Sequence, residues 1–347
     1  MKDFEGRIAV VTGGGTGMGR ELARQLSREG CHVAVCDISV ENMEETQALC
    51  RRESPEGTRF SLFQADVSQE DQVMAFRDHV ASSLETSHIN LLFNNAGISS
   101  GGSFVSDSRA DWDHCFGVCW FGVYYTSRAF MPALVASSHG HIVNTSSVNG
   151  FWATVGRPHT AYSTAKFAVK GFTEALIEDM RNHAPHVGVS LVCPGHVGTD
   201  IAINSLRKQA HGTHGDEMLE GVRRALLADR ATPEAFKTHL RGANKEEMLA
   251  VLDIMGDRFR DTGMSASDAA AYILNAVQAG QWRVLVGKDA EALDAAVRRE
   301  PGAAYEPGFV RAMLKTFRAT EQQEGGNSNL AAQQQKLGLA AHPAAKL

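Results

Sequence analysis

The chain reads as an α/β protein built on a doubly wound, seven-stranded parallel sheet. Short β-branched runs alternate with amphipathic stretches of helical period, which is the rhythm of βαβ units. A glycine-rich segment follows the first such run and opens the first helix. The 347 residues, 43% of them hydrophobic, are enough to bury one large core.

In order, the strand candidates are Arg7–Thr12, His32–Asp37, Arg59–Gln64, Ile89–Asn94, His141–Ser146, Val187–Cys193 and Trp282–Val286. Helices are expected between them near 18–29, 40–53, 69–84, 109–136 and 161–182, and Ser265–Ala279 leads amphipathically into the last strand. In such a sheet, ligands lie at the carboxyl ends of the strands. From Thr199 to about Gly263 charge and helix formers dominate, with a break at His211–Gly215. Residues 200–263 therefore read as helices inserted before the last βα unit. A single domain over 1–320 is expected, followed by a loose tail over 321–347 that is rich in Gln, Asn, Gly and Ala.

Composition excludes several classes. A net charge of -6 gives no electrostatic footprint for nucleic acid or an anionic membrane. No apolar run approaches the ~18 residues of a membrane span, and no signal-peptide stretch opens the chain. The cysteines at 31, 36, 50, 115, 119 and 193 show neither Cys-x-x-Cys pairs nor zinc spacing, so free thiols in a reducing compartment and no metal are expected. A cytoplasmic location follows. The terminal Ala345-Lys346-Leu347 is only a weak peroxisomal address.

The head Thr12-Gly13-Gly14-Gly15-Thr16-Gly17-Met18-Gly19 follows a strand and opens a helix. Glycines there allow a tight turn and let backbone N–H groups approach a pyrophosphate at a helix N-terminus. Asp37 ends the second strand, where a carboxylate accepts from both adenosine-ribose hydroxyls and repels a 2′-phosphate. Thr16 and Ile38, the positions open to a phosphate-binding base, are neutral, so NAD is favoured over NADP. Asp66-Val67 closes the third strand, placed for the adenine edge or for a helix N-cap.

Tyr162 and Lys166 are four apart and share one helix face, with Phe172, Leu176 and Met180 continuing an apolar stripe. A tyrosine is a poor base at neutral pH until a neighbouring cation favours its phenolate. Ser147, at a strand end 15 residues upstream, can orient a substrate oxygen, while alternation points Ser146 the other way.

With these residues in place the chain resembles the short-chain dehydrogenase/reductase family, in the branch with the Thr-Gly-x-x-x-Gly-x-Gly head. The matching residues are Thr12–Gly19, Asp37, Asp66, Asn94-Asn95-Ala96-Gly97, Ser147, Tyr162, Lys166 and Pro194-Gly195-His196-Val197-Gly198-Thr199. The resemblance implies a Rossmann-type fold. It makes Tyr162 the acid/base, Lys166 the ligand of the nicotinamide ribose that lowers the tyrosine pKa, and Ser147 the group polarising the substrate oxygen. Asn95, Ala96 and Gly97 would line the adenosine-ribose side, and Pro194, Gly195, Val197 and Thr199 would hold the nicotinamide. Family members pair through their two long helices, so a homodimer or homotetramer is expected. Thr16 replaces the glycine that the epimerase-like branch needs, which disfavours sugar-nucleotide epimerisation.

Two departures stand out. At the position where the family places an asparagine that holds a relay water, this chain has Cys119, whose thiol cannot copy an amide's donor and acceptor. The second is size. The segment after Ser147 carries Phe151, Trp152 and Val155, and the 200–263 insertion lies where the family keeps its substrate lid. The expected activity is NAD-dependent hydride transfer on a bulky, largely apolar secondary alcohol or ketone. Cys119 motivates the alternative, a catalytically weak NAD-binding sensor or scaffold.

Overall fold

In the computed structural model, the described residues are 3–99, 103–105, 108–153, 159–201, 203–204, 215–228 and 232–313. The strands are β1 (Ile8–Thr12), β2 (His32–Asp37), β3 (Phe60–Gln64), β4 (Leu91–Asn94), β5 (Gly140–Thr145), β6 (Val187–Pro194), β7 (Val197–Gly198), β8 (Met264–Ser265) and β9 (Arg283–Val286). Seven of them form one sheet in the order β3-β2-β1-β4-β5-β6-β9, and every neighbouring pair is parallel. The order reverses between β1 and β4, which opens a crevice at their carboxyl ends. β7 and β8 make a separate two-stranded ladder.

The helices are α1 (Gly17–Arg28), α2 (Val40–Glu53), α3 (Glu70–Ser83), α4 (Arg109–Phe116), α5 (Gly122–Val135), α6 (Thr160–His183), α7 (Gly215–Ala228), α8 (Glu234–Gly242), α9 (Lys245–Asp261), α10 (Ala266–Gln278) and α11 (Lys288–Arg299). One face of the sheet is covered through Leu22, Leu26, Ile273 and Val277, which pack on Val11, Val33 and Val284. The other is covered through Phe76, Val80, Phe130, Leu176 and Met180 on Val10, Ala34 and Ile142. Both faces being buried explains why the strands read as continuous apolar runs.

The single helix expected over 109–136 is divided. Gly117–Phe121 winds as a π-turn between α4 and α5, placing one wider turn opposite α6. The expected insertion is helical. α7, α8 and α9 close over a small core of Leu219, Val222, Leu240, Met248 and Leu252, and a reciprocal Asn244–Glu247 cap starts α9. Helix α11, which the sequence pattern did not announce, packs Leu293 against Trp152. His211–His214 and the tail over 321–347 lie outside the described residues.

Candidate active site

β1 ends at Thr12 and the chain curls over β2 before α1 begins. Gly13 and Gly14 donate their N–H groups to the Cys36 carbonyl at 2.8 and 3.1 Å. Gly13 and Gly17 adopt φ of 68° and 54°, the left-handed region that glycine enters without strain. A Cβ at Gly19 would overlap the Gly13 carbonyl, and one at Gly13 would stand 2.9 Å from the Ala96 Cα. The turn is thus a cradle that side chains would fill.

Asp37 braces this cradle. Its carboxylate accepts from Gly15 N at 3.0 Å and from Ser39 N at 3.1 Å. Two further residues hold the turn from behind, with no local pattern in the sequence to mark them. Arg20 Nη2 donates to the Gly15 carbonyl at 2.6 Å and to Glu45 at 2.7 Å, and Thr46 Oγ1 donates to the Gly14 carbonyl at 3.0 Å. Across the crevice, Thr12 Oγ1 accepts from Asn95 N and Ala96 N, each at 3.0 Å, joining the two halves of the sheet.

A cleft runs along these strand ends. Of the residues expected to hold a cofactor, Gly13, Thr16, Gly17, Met18, Asp37, Ile38, Asp66, Val67, Asn95, Ala96, Gly97 and Thr199 line it. Thr12, Gly15 and Gly19 lie behind the lining and shape the turn. Asp66 does not cap α3, whose N-cap is Gln69; its Oδ1 accepts from Ser68 N at 2.9 Å in a local turn. Pro194 ends β6 and pairs with Val286, while Gly195 N donates to the Val286 carbonyl at 2.9 Å and Val197 begins β7.

Ser147, Tyr162 and Lys166 come together at the end of β5. Ser147 follows that strand, accepts from Asn149 N at 3.1 Å, and hydrogen-bonds the Tyr162 hydroxyl. Lys166 is buried on α6; its Nζ donates to the Thr145 carbonyl at 2.9 Å and lies 5.6 Å from the Tyr162 ring centre. Burial pushes the Tyr162 pKa upward, ionisation of the neighbouring Cys119 would add to that, and the Ser147 hydrogen bond opposes it. Lys166 Nζ is turned to the Thr145 carbonyl, and a partly buried phenol resists ionisation until a nearby positive charge reaches it.

Cys119 is fully buried beside Tyr162, Ala161 and Ala165 and donates to the Ile98 carbonyl at 3.4 Å. It forms a hydrogen-bonded pair with Cys115, one turn earlier on the same side of the helix. That bond holds the Cys119 thiol below its ordinary pKa and raises Cys115. All six cysteines are free and buried. Among the described residues no group of three His, Cys, Asp or Glu side chains is placed to hold a metal ion, and no helix is long and apolar enough to cross a membrane.

The aromatic surroundings differ from expectation. Trp152 is fully buried away from the cleft, its Nε1 donating to the Ala304 carbonyl at 2.7 Å, and Phe151 lies against Leu285 with the Arg283 guanidinium over its ring. Val155 lies outside the described residues. The ring next to Tyr162 is His159, 6.2 Å between centroids, and the cluster of Cys115, Cys119, Ala161 and Ala165 that Tyr162 packs against also takes Trp120 and the pair Trp112 and Phe116, stacked at 6.0 Å on α4. Their i, i+4 spacing was the available signal.

A doubly wound sheet, a glycine cradle at its reversal point and a Tyr–Lys helix beside it define a nucleotide-binding oxidoreductase. Comparison with known proteins agrees. The family model for short chain dehydrogenases matches residues 7–210. SadH of Mycobacterium tuberculosis is 32% identical over 317 residues, covering 91% of this chain and 99% of the relative. Epidermal retinol dehydrogenase 2 of Homo sapiens is 33% identical over 201 residues, 58% of this chain and 63% of its own length. A crystal structure of a short-chain dehydrogenase/reductase from Burkholderia phymatum in complex with NAD superposes with a TM-score of 0.68 at 29% identity, over 88% of this chain and 98% of that one. The chain belongs to the short-chain dehydrogenase/reductase family.

Proposed function

We propose that the protein is an NAD-dependent oxidoreductase that moves a hydride between nicotinamide C4 and the carbonyl carbon of a bulky, largely apolar secondary alcohol or ketone. The observation that carries this reading is the convergence of Ser147, Tyr162 and Lys166 beside the glycine cradle. NAD, when bound, would supply the hydride acceptor and a positive ring. The residues of the chain do the rest. Tyr162 Oη takes the proton of the alcohol, Ser147 holds the same oxygen, and Lys166 grips the nicotinamide ribose and favours the phenolate.

The cradle residues Gly13 to Gly19 present backbone N–H groups to a pyrophosphate, and Asp37 accepts from a ribose diol. Asp37 and Asp66 are the acids of the cleft lining, which among the described residues holds no Lys or Arg, and Arg20 is committed to Glu45 and the Gly15 carbonyl. A 2′-phosphate would therefore meet negative charge, and NAD is preferred to NADP. Asn95, Ala96 and Gly97 serve the adenosine-ribose side; Pro194, Gly195, Val197 and Thr199 serve the nicotinamide. The apolar substrate class is supported by the Trp112–Phe116 stack on the cluster that Tyr162 also packs against, by the helical insertion α7–α9 in the position of a lid, and by a relative whose name specifies retinol.

Assembly into a homodimer or homotetramer through α4–α5 and α6 is supported by Phe121 and Phe167, exposed at 41% and 40%. The burial of Cys119 where the family keeps an asparagine favours one second reading, a catalytically weak NAD-binding sensor or scaffold. Saturating the protein with NAD, screening hydrophobic secondary alcohols and following NADH absorbance separates the two. Turnover that disappears in Tyr162→Phe supports the enzyme; tight NAD binding without Tyr162-dependent turnover supports the sensor.

A further inference from the structure

The turn after β6 is held from a place remote in sequence. Asp289 sits in the first turn of α11, and its Oδ2 accepts from the backbone N–H of His196 at 2.7 Å. The carboxylate enters between two glycines. A Cβ on Gly195 or on Gly287 would overlap it, and Gly287 is itself held at φ 102°. Gly195 N completes the contact by donating to the Val286 carbonyl, one residue before Gly287. The opposite side of the turn is held by α9 and β8. His196 Nε2 lies 3.0 Å from the Phe259 carbonyl with its ring against Phe259, and Met264 N donates to the His196 carbonyl at 3.1 Å.

We propose that Asp289 is a positioning residue for the nicotinamide end of the dinucleotide, acting through the backbone of residues 195–199. The inference rests on the NAD-binding reading of the cleft. A carboxylate accepting from a backbone N–H makes a strong, directional bond, and its removal takes this partner from the His196 N–H in a partly buried turn. Asp37, Asp66 and Asn95–Gly97 hang on β2, β3 and β4, whose hydrogen-bonding partners do not include Asp289. Thr199, on the same turn, reaches back to the cradle, since a Cβ on Gly17 would stand 3.2 Å from its Cγ2. Displacement of the turn therefore acts first on the nicotinamide half of the cleft, while the strands that carry Asp37, Asp66 and Asn95–Gly97 are spared.

The test compares two probes on the full chain. NADH binding is read by its fluorescence, and ADP-ribose, which lacks the nicotinamide, by calorimetry. In Asp289→Ala, NADH binding should weaken at least fivefold and its bound emission shift should diminish, while ADP-ribose affinity stays within twofold of the parent. Asp289→Asn keeps an oxygen to accept from His196 N, guards against a folding failure in the alanine variant, and should recover most of the NADH affinity. Equal weakening of both probes means a general structural role and overturns the proposal, as does unchanged NADH binding. A parent protein that binds neither probe would sink the NAD reading itself, and this inference with it.

Discussion

Ser146 Oγ donates to the backbone carbonyl of Lys166 at 2.7 Å. Its neighbour Ser147 points the opposite way, to Tyr162. Two consecutive serines thus fix the same helix at two places: one holds the backbone that carries the lysine, the other meets the tyrosine hydroxyl. Gly150 is part of this contact, because a Cβ there would stand 2.8 Å from the Lys166 carbonyl. The spacing of Ser147, Tyr162 and Lys166 is therefore set by the backbone of α6 against the end of β5.

Replacing Tyr162 by Phe removes the proton acceptor and leaves the ring packing in place. We expect kcat/KM to fall by about 10²–10⁴-fold, the usual weight of a general acid/base. NADH binding, followed by fluorescence, should change little. Equal loss of binding and turnover would mean that the ring, not the hydroxyl, matters.

Ionisation of the Cys119 thiol would place negative charge beside Tyr162 and raise its pKa. In Cys119→Asn that charge cannot form, so Tyr162 ionises more readily. The rate of alcohol oxidation rises with pH as the phenol deprotonates, so the ascending limb of kcat against pH should move to lower pH. A profile that does not move, or moves upward, contradicts the electrostatic link.

Asp37→Asn keeps an acceptor for Gly15 N and removes the negative charge facing the ribose. The NAD-over-NADP preference should fall about tenfold, ~1.4 kcal/mol. Dissociation constants for both cofactors in parent and variant check this.

His141 is buried between β5 and β6 with Nε2 2.8 Å from Ser190 Oγ, and burial lowers its pKa to about 4 from 6.5. The unfolded chain binds this proton first. The stability contribution is therefore complete above pH 6.5 and is lost as pH falls toward 4, about 3 kcal/mol over the window. Urea unfolding at pH 7.5 and 5 measures the slope, which should flatten in His141→Asn.

Trp152 fills the space under α11 and donates to the Ala304 carbonyl. Trp152→Ala should cost about 3–5 kcal/mol, and Trp152→Phe, which mainly leaves the carbonyl unpaired, about 1 kcal/mol. Thermal and urea unfolding distinguish them, and NADH affinity of the folded fraction should be preserved in both.

The fold was legible because its strands, buried on both faces, read as short continuous apolar runs, while its helices, buried on one face, carry the helical period. The cradle and the Ser147–Tyr162–Lys166 group were legible because their spacing is local. What stayed hidden was contact between distant segments. Arg20 and Thr46 brace the glycine turn without any motif, and Asp289 meets His196 across 93 residues. Trp152 was read as a substrate neighbour because aromatic content near a site does not reveal which way a side chain turns. The structure gives it to the core beneath α11 instead. The π-turn at Gly117–Phe121 was equally invisible, since its residues continue an ordinary helical pattern.

That π-turn makes the helix editable by a single residue. A wider turn accommodates one residue more than the α-helical ladder needs, which changes the rotational phase between α4 and α5 by about 100°. Excising one residue between 117 and 121 would let the ladder close as a regular helix without disturbing the sheet. It would also swing Trp112, Cys115 and Phe116 around the helix axis, away from Tyr162. Single-residue length variation at this bend is thus a route by which relatives of this chain could exchange one wall of the site for another while the cradle and the dyad stay where they are.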